Sequence, residues 1–389
     1  MKILYITWDS FGSEDIGLEF KRRNYEIDEV WINAKEDTYS NRQLEKKIIH
    51  YLQQKPYDFV FSWNYFPSVA VACHTCKIKY AAWIYDSPLP SLWHSSVTLP
   101  TNYIFIFDKA DYLQLKQKNI NTIYFLPLAA NVDRYDSYQM DKEIEEIYSV
   151  PISFVGSTYM ESRYQGYRRF QKLDDYTKGY VNGLLNAQKL IYGGFILEDL
   201  LQPEIIEEMQ QVYPIQLKEE LGYSYAKHYG QIVLAIQLTG MERKEILEVL
   251  SEKYKLYLYT RKKTPWLPYA VNKGRAGHWK ESCFIFRCSK INLNITLRSI
   301  RTGIPLRAFE IMGAGGFLLT NYQEDFFDFF EPGVDFVYYT GYEDLLQKTE
   351  YYLTHEEERQ RIARSGYEKV KKYHTYQKRL DTILEMMNK

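Results

Sequence analysis

Short apolar runs alternate with helical stretches along almost the whole chain, and that alternation leaves few folds open. Lys2–Trp8 (KILYITW) is the first such run. Brief apolar runs rich in β-branched and aromatic residues, bounded by loops, read as strands buried on both faces. A glycine-bearing loop, a helical pattern and a second strand near Ile27–Ile32 follow. A helix over about Arg42–Gln53, a Lys-Pro break and a strand at Phe59–Trp63 repeat the unit. "IKYAAWIYD", ending at Asp86, "NYIFIFDK" and "TIYFLPLAA" extend it. After the charged stretch Asp141–Glu146, which reads as a linker, "PISFVGS" restarts the pattern. A largely helical region over 162–221 comes next, then the apolar run Gln231–Leu238, a helix, and the strands in "KLYLYT", "SKINLNIT", "GFLLTN" and "DFVYYT". From Tyr342 the pattern is helical almost to the end, with a break near His374. Alternation of this kind specifies an α/β fold with mainly parallel sheets.

The 389 residues suit at least two domains. The expected division is a Rossmann-like domain over 1–149, a second over 150–354, and C-terminal helices over 355–389 that could pack back on the first. Ligands bind such sheets at the carboxyl ends of the strands, so function is expected in a cleft that the two domains face. A net charge of −1 gives no general attraction to nucleic acid or to an anionic membrane. No run of about 18 apolar residues occurs, so no integral membrane segment is expected. "MKILYITWDS" is too short an apolar run for a signal peptide, and a cytoplasmic location is expected. Cys73 and Cys76 form a C-x-x-C, and Cys283 and Cys288 a wider pair. A four-thiolate zinc site is the sharper reading of these, and small hydrophobes on semi-buried helices the better one.

"GIPLRAFEIMGAGGFLLTN", 303–321, carries the main candidate residues. Pro305 suits a first helical turn, and Gly313, Gly315 and Gly316 suit a helix end with tight re-entry into a strand. Leu306, Phe309 and Met312 make an apolar face. Arg307 and Glu310, at i and i+3 on another face, are what folding leaves over. The helix N-terminus is a ready anion site. Glu310 lies too deep in the helix to cap it, but its carboxylate can accept two hydrogen bonds from a ribose diol. The alternative is a surface Arg307–Glu310 pair worth well under ~1 kcal/mol. Spacing alone does not separate the two.

Four segments, in order, resemble the CgeB-like spore-maturation glycosyltransferases: "FVGSTYMESR" (154–163), "SKINLNIT" (289–296), the 303–321 stretch and "FFEPGVDFVYY" (329–339). "WIYDSPL" and "YIFIFDK…YFLPLAAN" resemble the uncharacterised domain that often precedes that region. The likeness covers most of the chain and is least over Ser162–Leu250. The family is similar to GT-B glycosyltransferases, which move sugar from a nucleotide to an acceptor between two Rossmann-like lobes. The resemblance therefore implies a GT-B-like α/β fold, two Rossmann-like domains facing a cleft, with a C-terminal helical tail.

The resemblance also assigns roles. Glu310 matches the second glutamate of an E-x7-E pattern, the one that binds the donor ribose; the first falls at Thr302, so half the pattern is missing. Gly156 and Ser157 match the donor-side glycine loop, whose backbone approaches phosphate closely. Arg163 is the first candidate for the diphosphate cation and Arg307 the next. Gly12 matches the acceptor-side loop. Asp86, at a strand end, could take or orient the proton of an acceptor hydroxyl, or simply cap its own Asp-Ser-Pro turn. His94 is the second catalytic candidate. No D-x-D triplet occurs, which agrees with a metal-independent site; the resemblance implies no cofactor beyond the nucleotide-sugar donor. The implied reaction is transfer from a nucleotide-diphosphate sugar, UDP favoured, to a glycan or protein hydroxyl of the cell surface or spore, with retention. Two alternatives stay open: a GT-B-fold sugar-nucleotide epimerase, and an inert sugar-nucleotide-binding or surface-assembly protein, for which Thr302 is the best support.

Overall fold

A computed structural model describes residues 1–37, 40–218 and 220–388. The chain divides into two compact units: Met1–Leu128 with Leu217–Ser224 and His374–Lys389, and Ala129–Gln216 with Tyr225–Tyr373.

The first unit holds a six-stranded sheet: β1 Lys2–Thr7, β2 Glu26–Trp31, β3 Phe59–Trp63, β4 Lys79–Trp83, β5 Asn102–Ile106 and β6 Ile123–Phe125, in the order β2-β1-β3-β4-β5-β6. Every pairing is parallel. Ile6, Val60, Ala82 and Ile104 bury on one core, and Leu52, Val69 and Cys73 from the flanking helices close over it. Parallel strands buried on both faces need helices on both sides, and this is what the apolar runs encode. The helix Tyr376–Asn388 belongs to this unit. Its Arg379, only 7% exposed, donates to the carbonyls of Pro127 (2.8 Å) and Leu128 (3.2 Å), and burial pushes its pKa down to about 10.

The second unit has its own parallel six-stranded sheet: β7 Ile152–Val155, β8 Leu256–Tyr259, β9 Val271–Asn272, β10 Ile291–Asn294, β11 Leu318–Asn321 and β12 Val337–Tyr339. The order is β12-β11-β10-β7-β8-β9. The chain runs outward from β7 to β9, returns, and runs outward the other way from β10, so β7 and β10 flank the topological switch point. A separate helical cluster, with Phe170, Leu185, Met209, Tyr229 and Leu238 at its centre, fills the long insertion after β7.

One sequence expectation changes here. The Asp141–Glu146 stretch is not a linker: Lys142–Tyr148 is a helix, and the Asp141 carboxylate accepts from the Ile144 N–H at 2.9 Å as its N-cap. The apolar run Gln231–Leu238 lies in one continuous helical segment that includes a π-turn at Tyr229–Leu234. The four thiols are free, and burial raises their pKa values, Cys283 to about 11, which fits the inert reading.

His228 enters that π-turn, and burial lowers its pKa from 6.5 to about 4. Between those values the unfolded chain binds the extra proton and the folded one does not. This contribution to stability is therefore present above pH 6.5 and is lost as the pH falls toward 4. His228→Phe should flatten the acid side of the stability curve in that window. Parallel urea-midpoint curves for the two proteins would show that the ring is not withheld from water.

Candidate functional site

The crevice at a switch point lies beyond the carboxyl ends of the two strands that flank it. In the second unit these ends are Val155-Gly156-Ser157 after β7 and Ile295-Thr296 after β10. A Cβ on Gly156 would meet only ordinary contacts, the nearest Phe154 at 3.6 Å. Packing therefore does not require this glycine, but its backbone does favour one: φ is 159°, which residues with a Cβ rarely adopt. The Ser157 hydroxyl is committed to the loop: it lies 2.8 Å from both carboxylate oxygens of Glu161, which also accepts from the Thr158 N–H at 3.2 Å. Tyr159, next in the loop, is held at φ 57°, an uncommon conformation for so bulky a residue.

Arg243, from the helix Ala235–Lys253, was not singled out from the sequence. Its guanidinium donates to the Ser157 carbonyl at 2.5 Å and to the Ile295 carbonyl, tying the two flanking strand ends together. It is 8% exposed, its Nε has no hydrogen-bond partner among the described residues, and Tyr159 covers it at 4.6 Å. Burial lowers its pKa. In "MERKEILEVL" it reads as one more charge on a helix, and only the tertiary fold brings it to the switch point. Arg298, just past β10, is by contrast fully answered: Glu242 binds it in a two-pronged ion pair at 2.7 and 2.5 Å.

The two arginines expected at the diphosphate differ in the same way. Arg163 is exposed, stacks on Tyr164 at 4.5 Å, and has no ion-pair partner among the described residues. Arg307 is spent on Glu310, Nη1 to Oε2 at 3.0 Å. Glu310 lies in the helix Leu306–Gly313 and is 4% exposed, so it is no surface carboxylate. His278 Nδ1 lies 3.7 Å from its other oxygen. A carboxylate has about four acceptor directions; Arg307 and His278 approach one on each oxygen, which leaves room for a diol. The carbonyl of Thr302 accepts from the N–H of Asp325, a buried acid.

In the first unit, Gly12 sits between β1 and the helix Ser13–Arg22 at φ 82°. A Cβ there would lie 2.9 Å from the Tyr376 hydroxyl and 3.2 Å from Trp63. The loop is bare to admit this chain's own tyrosine. Asp86 follows β4; solvent reaches the residue, yet enough protein surrounds the carboxylate that lost hydration raises its pKa. Asn64 holds it, Nδ2 to Oδ2 at 2.7 Å. His94 acts as a cap: its Nδ1 accepts from the Ser96 N–H at 3.1 Å, which leaves the Nε2 hydrogen facing Glu220 at 4.0 Å. That geometry places His94 in a local turn with Trp93 and Tyr223 packed beside it. Among the described residues no group of three or more His, Cys, Asp or Glu side chains is placed to hold a metal, and no helix is long and apolar enough to cross a membrane.

Residues 243–385 match the family model described as "Glycosyl transferase-like". No curated protein matches the chain. Among solved structures, the chain is similar to Anabaena Alr3699/HepE in complex with UDP-glucose, at 10% identity and TM-score 0.54, over 100% of this chain and 99% of that one. An α,α-trehalose-phosphate synthase (UDP-forming) from Burkholderia vietnamiensis is similar at 10% identity and TM-score 0.55, over 100% and 99%. Sucrose-phosphate synthase from Thermosynechococcus elongatus is similar at 9% identity and TM-score 0.55, over 100% and 98%. At such identities the likeness is one of fold, and with the two parallel sheets it makes this chain an α/β protein of the GT-B type.

Proposed function

We propose that the chain is a glycosyltransferase that moves a sugar from a UDP-sugar to a glycan or protein hydroxyl, in the cytoplasm, without a metal and with retention at the anomeric carbon. The observation that carries the reading is Glu310: a buried carboxylate with unused acceptor capacity, on the helix that follows β10 beyond the switch point. The glycosyl transferase-like match spans that helix, and the GT-B relatives with UDP-sugar ligands or UDP-forming activity support the choice of donor. The order of the four sequence segments supports placement with the CgeB-like group.

In this reading Glu310 accepts the ribose hydroxyls. Arg163, which unlike Arg307 has no ion-pair partner among the described residues, meets the diphosphate, while Arg243 fixes the loop whose backbone the phosphates approach. The bond from the anomeric carbon to the diphosphate oxygen breaks as the acceptor oxygen attacks from the same face. The departing phosphate takes the acceptor proton, and positive charge beside that phosphate lowers the barrier. Asp86 accepts a hydrogen bond from a neighbouring hydroxyl of the acceptor and so aims the attacking oxygen, whose own proton goes to the phosphate. His94 stays outside the reaction as a cap.

A panel of UDP-, GDP- and dTDP-sugars, followed by free nucleotide and by sugar product, tests this. UDP release with a retained anomer is expected, and it should persist in EDTA. An altered sugar nucleotide without transfer would mean epimerisation; binding without turnover for every donor and acceptor would mean an inert binding protein. Glu310→Ala should weaken UDP binding about 10- to 100-fold, the worth of one or two charge-assisted hydrogen bonds. An unchanged Kd for UDP in calorimetry would remove the ribose role.

A further inference from the structure

We propose that Asn64 is a positioning residue whose side-chain amide fixes the Asp86 carboxylate in its working orientation; this rests on the acceptor-side role given to Asp86 above. Asn64 is the first residue after β3, is 3% exposed, and sits at φ 72°. The left-handed conformation is unfavourable for most residues and tolerated by Asn. Its backbone N–H donates to the Trp83 carbonyl at 2.8 Å, so the main chain at the end of β3 is pinned to the end of β4. Its side chain then does two separate things. Oδ1 accepts from the backbone N–H groups of Tyr85 (2.8 Å) and Asp86 (3.0 Å). Nδ2 donates to Asp86 Oδ2 at 2.7 Å. Backbone N–H groups can only donate, so the amide cannot be flipped end for end.

Closing the turn after β4 needs only the Oδ1 half of this arrangement. An aspartate at position 64 would close it equally well and would repel Asp86. The Nδ2 half is what selects an amide, and its target among the described residues is the carboxylate. The groups that bias Asp86 are the surrounding protein, which disfavours its charge, and this amide, which favours it; among the described residues no charged side chain adds to these. Removing the amide should therefore raise the pH at which Asp86 ionises and free its side chain to rotate.

Asn64→Gly deletes the amide while accepting the positive φ, and Asn64→Asp keeps the turn closed but sets a like charge beside Asp86. The ionisation of Asp86 is read in the full chain by carboxyl-carbon NMR, its resonance assigned from the Asp86→Asn difference spectrum. Asn64→Gly should move that titration to higher pH, and Asn64→Asp should move it further. In UDP release from UDP-glucose, Asn64→Gly should lower kcat about tenfold or more and leave KM for UDP-glucose unchanged, as expected when a reacting group is misaimed. A titration of Asp86 that stays at its wild-type position in Asn64→Gly overturns the proposal whether or not turnover is seen. Full turnover in Asp86→Ala overturns the acceptor-side role itself, and with it the working orientation assigned here.

Discussion

Asp86→Ala is expected to lower kcat about 100-fold, with the Kd for UDP almost unchanged. The asymmetry follows from where the carboxylate lies. Asp86 belongs to the first unit, whereas the residues proposed to serve UDP, Glu310, Arg163 and Arg243, all belong to the second. A charge-assisted hydrogen bond to an acceptor hydroxyl contributes about 1.5–3 kcal/mol, and loss of aim adds to it. Asp86→Asn keeps an acceptor oxygen and should fall between wild type and alanine. Were Asp86 a true base instead, asparagine would be as inactive as alanine and the product anomer would be inverted. In the proposed role the ionised form does the work, and burial raises its pKa, so turnover should fall on the acid side at a pH above the ordinary 3.8 of a carboxyl. The same shift fixes the sign for stability: a carboxyl whose folded pKa lies above its unfolded value loses stability as pH rises through the folded pKa. At neutral pH the alanine variant should thus melt no lower than wild type. A kcat within twofold of wild type, or a parallel loss of UDP affinity, would remove Asp86 from the acceptor side.

The two parallel sheets were legible because buried strands write themselves as apolar runs: residues such as Ile3, Val60, Ile152 and Leu319 have no solvent-facing side to alternate with. The helix around Glu310 was legible for a similar reason, since its apolar stripe and glycines are local signals. What local pattern cannot carry is pairing at a distance. Asp141 read as part of a charged linker because N-capping looks the same as a charge run until the helix exists. Gly12 read as a ligand loop, and its bareness is filled by Tyr376, 364 residues later in the chain. Arg243 and Arg298 are both arginines in or beside helical segments, yet one is tied to strand ends and the other neutralised by Glu242. Asn64 gave no signal at all, because its role is defined by the end of a neighbouring strand.

Gly316→Ala is expected to destabilise the second unit by about 4 kcal/mol or more, enough to lower the soluble yield. Gly315 and Gly316 end the Glu310 helix in a Schellman motif: the Gly316 N–H donates to the Ile311 carbonyl and the Gly315 N–H to that of Met312, both at 2.9 Å. The two glycines are needed for different reasons. Gly315 sits at φ 84° with nothing within 4 Å of an added Cβ, so alanine there meets only backbone strain of about 1 kcal/mol. A Cβ on Gly316 would lie 2.4 Å from the Phe286 carbonyl oxygen and 2.7 Å from Asn292 Nδ2. Neither can yield cheaply. The Asn292 amide donates to Phe286 and Phe317 and accepts from Ser153, stitching β10, β11 and β7 together at this level. Pushing it aside strands several buried polar groups at once, each worth about 1–3 kcal/mol. Urea denaturation of the two single variants decides the matter: equal losses would mean that the close approach at Gly316 is not real. The helix that Gly316 seats is the one that carries Glu310, so a Gly316→Ala protein that does fold should also bind UDP more weakly, while Gly315→Ala should bind it as wild type does.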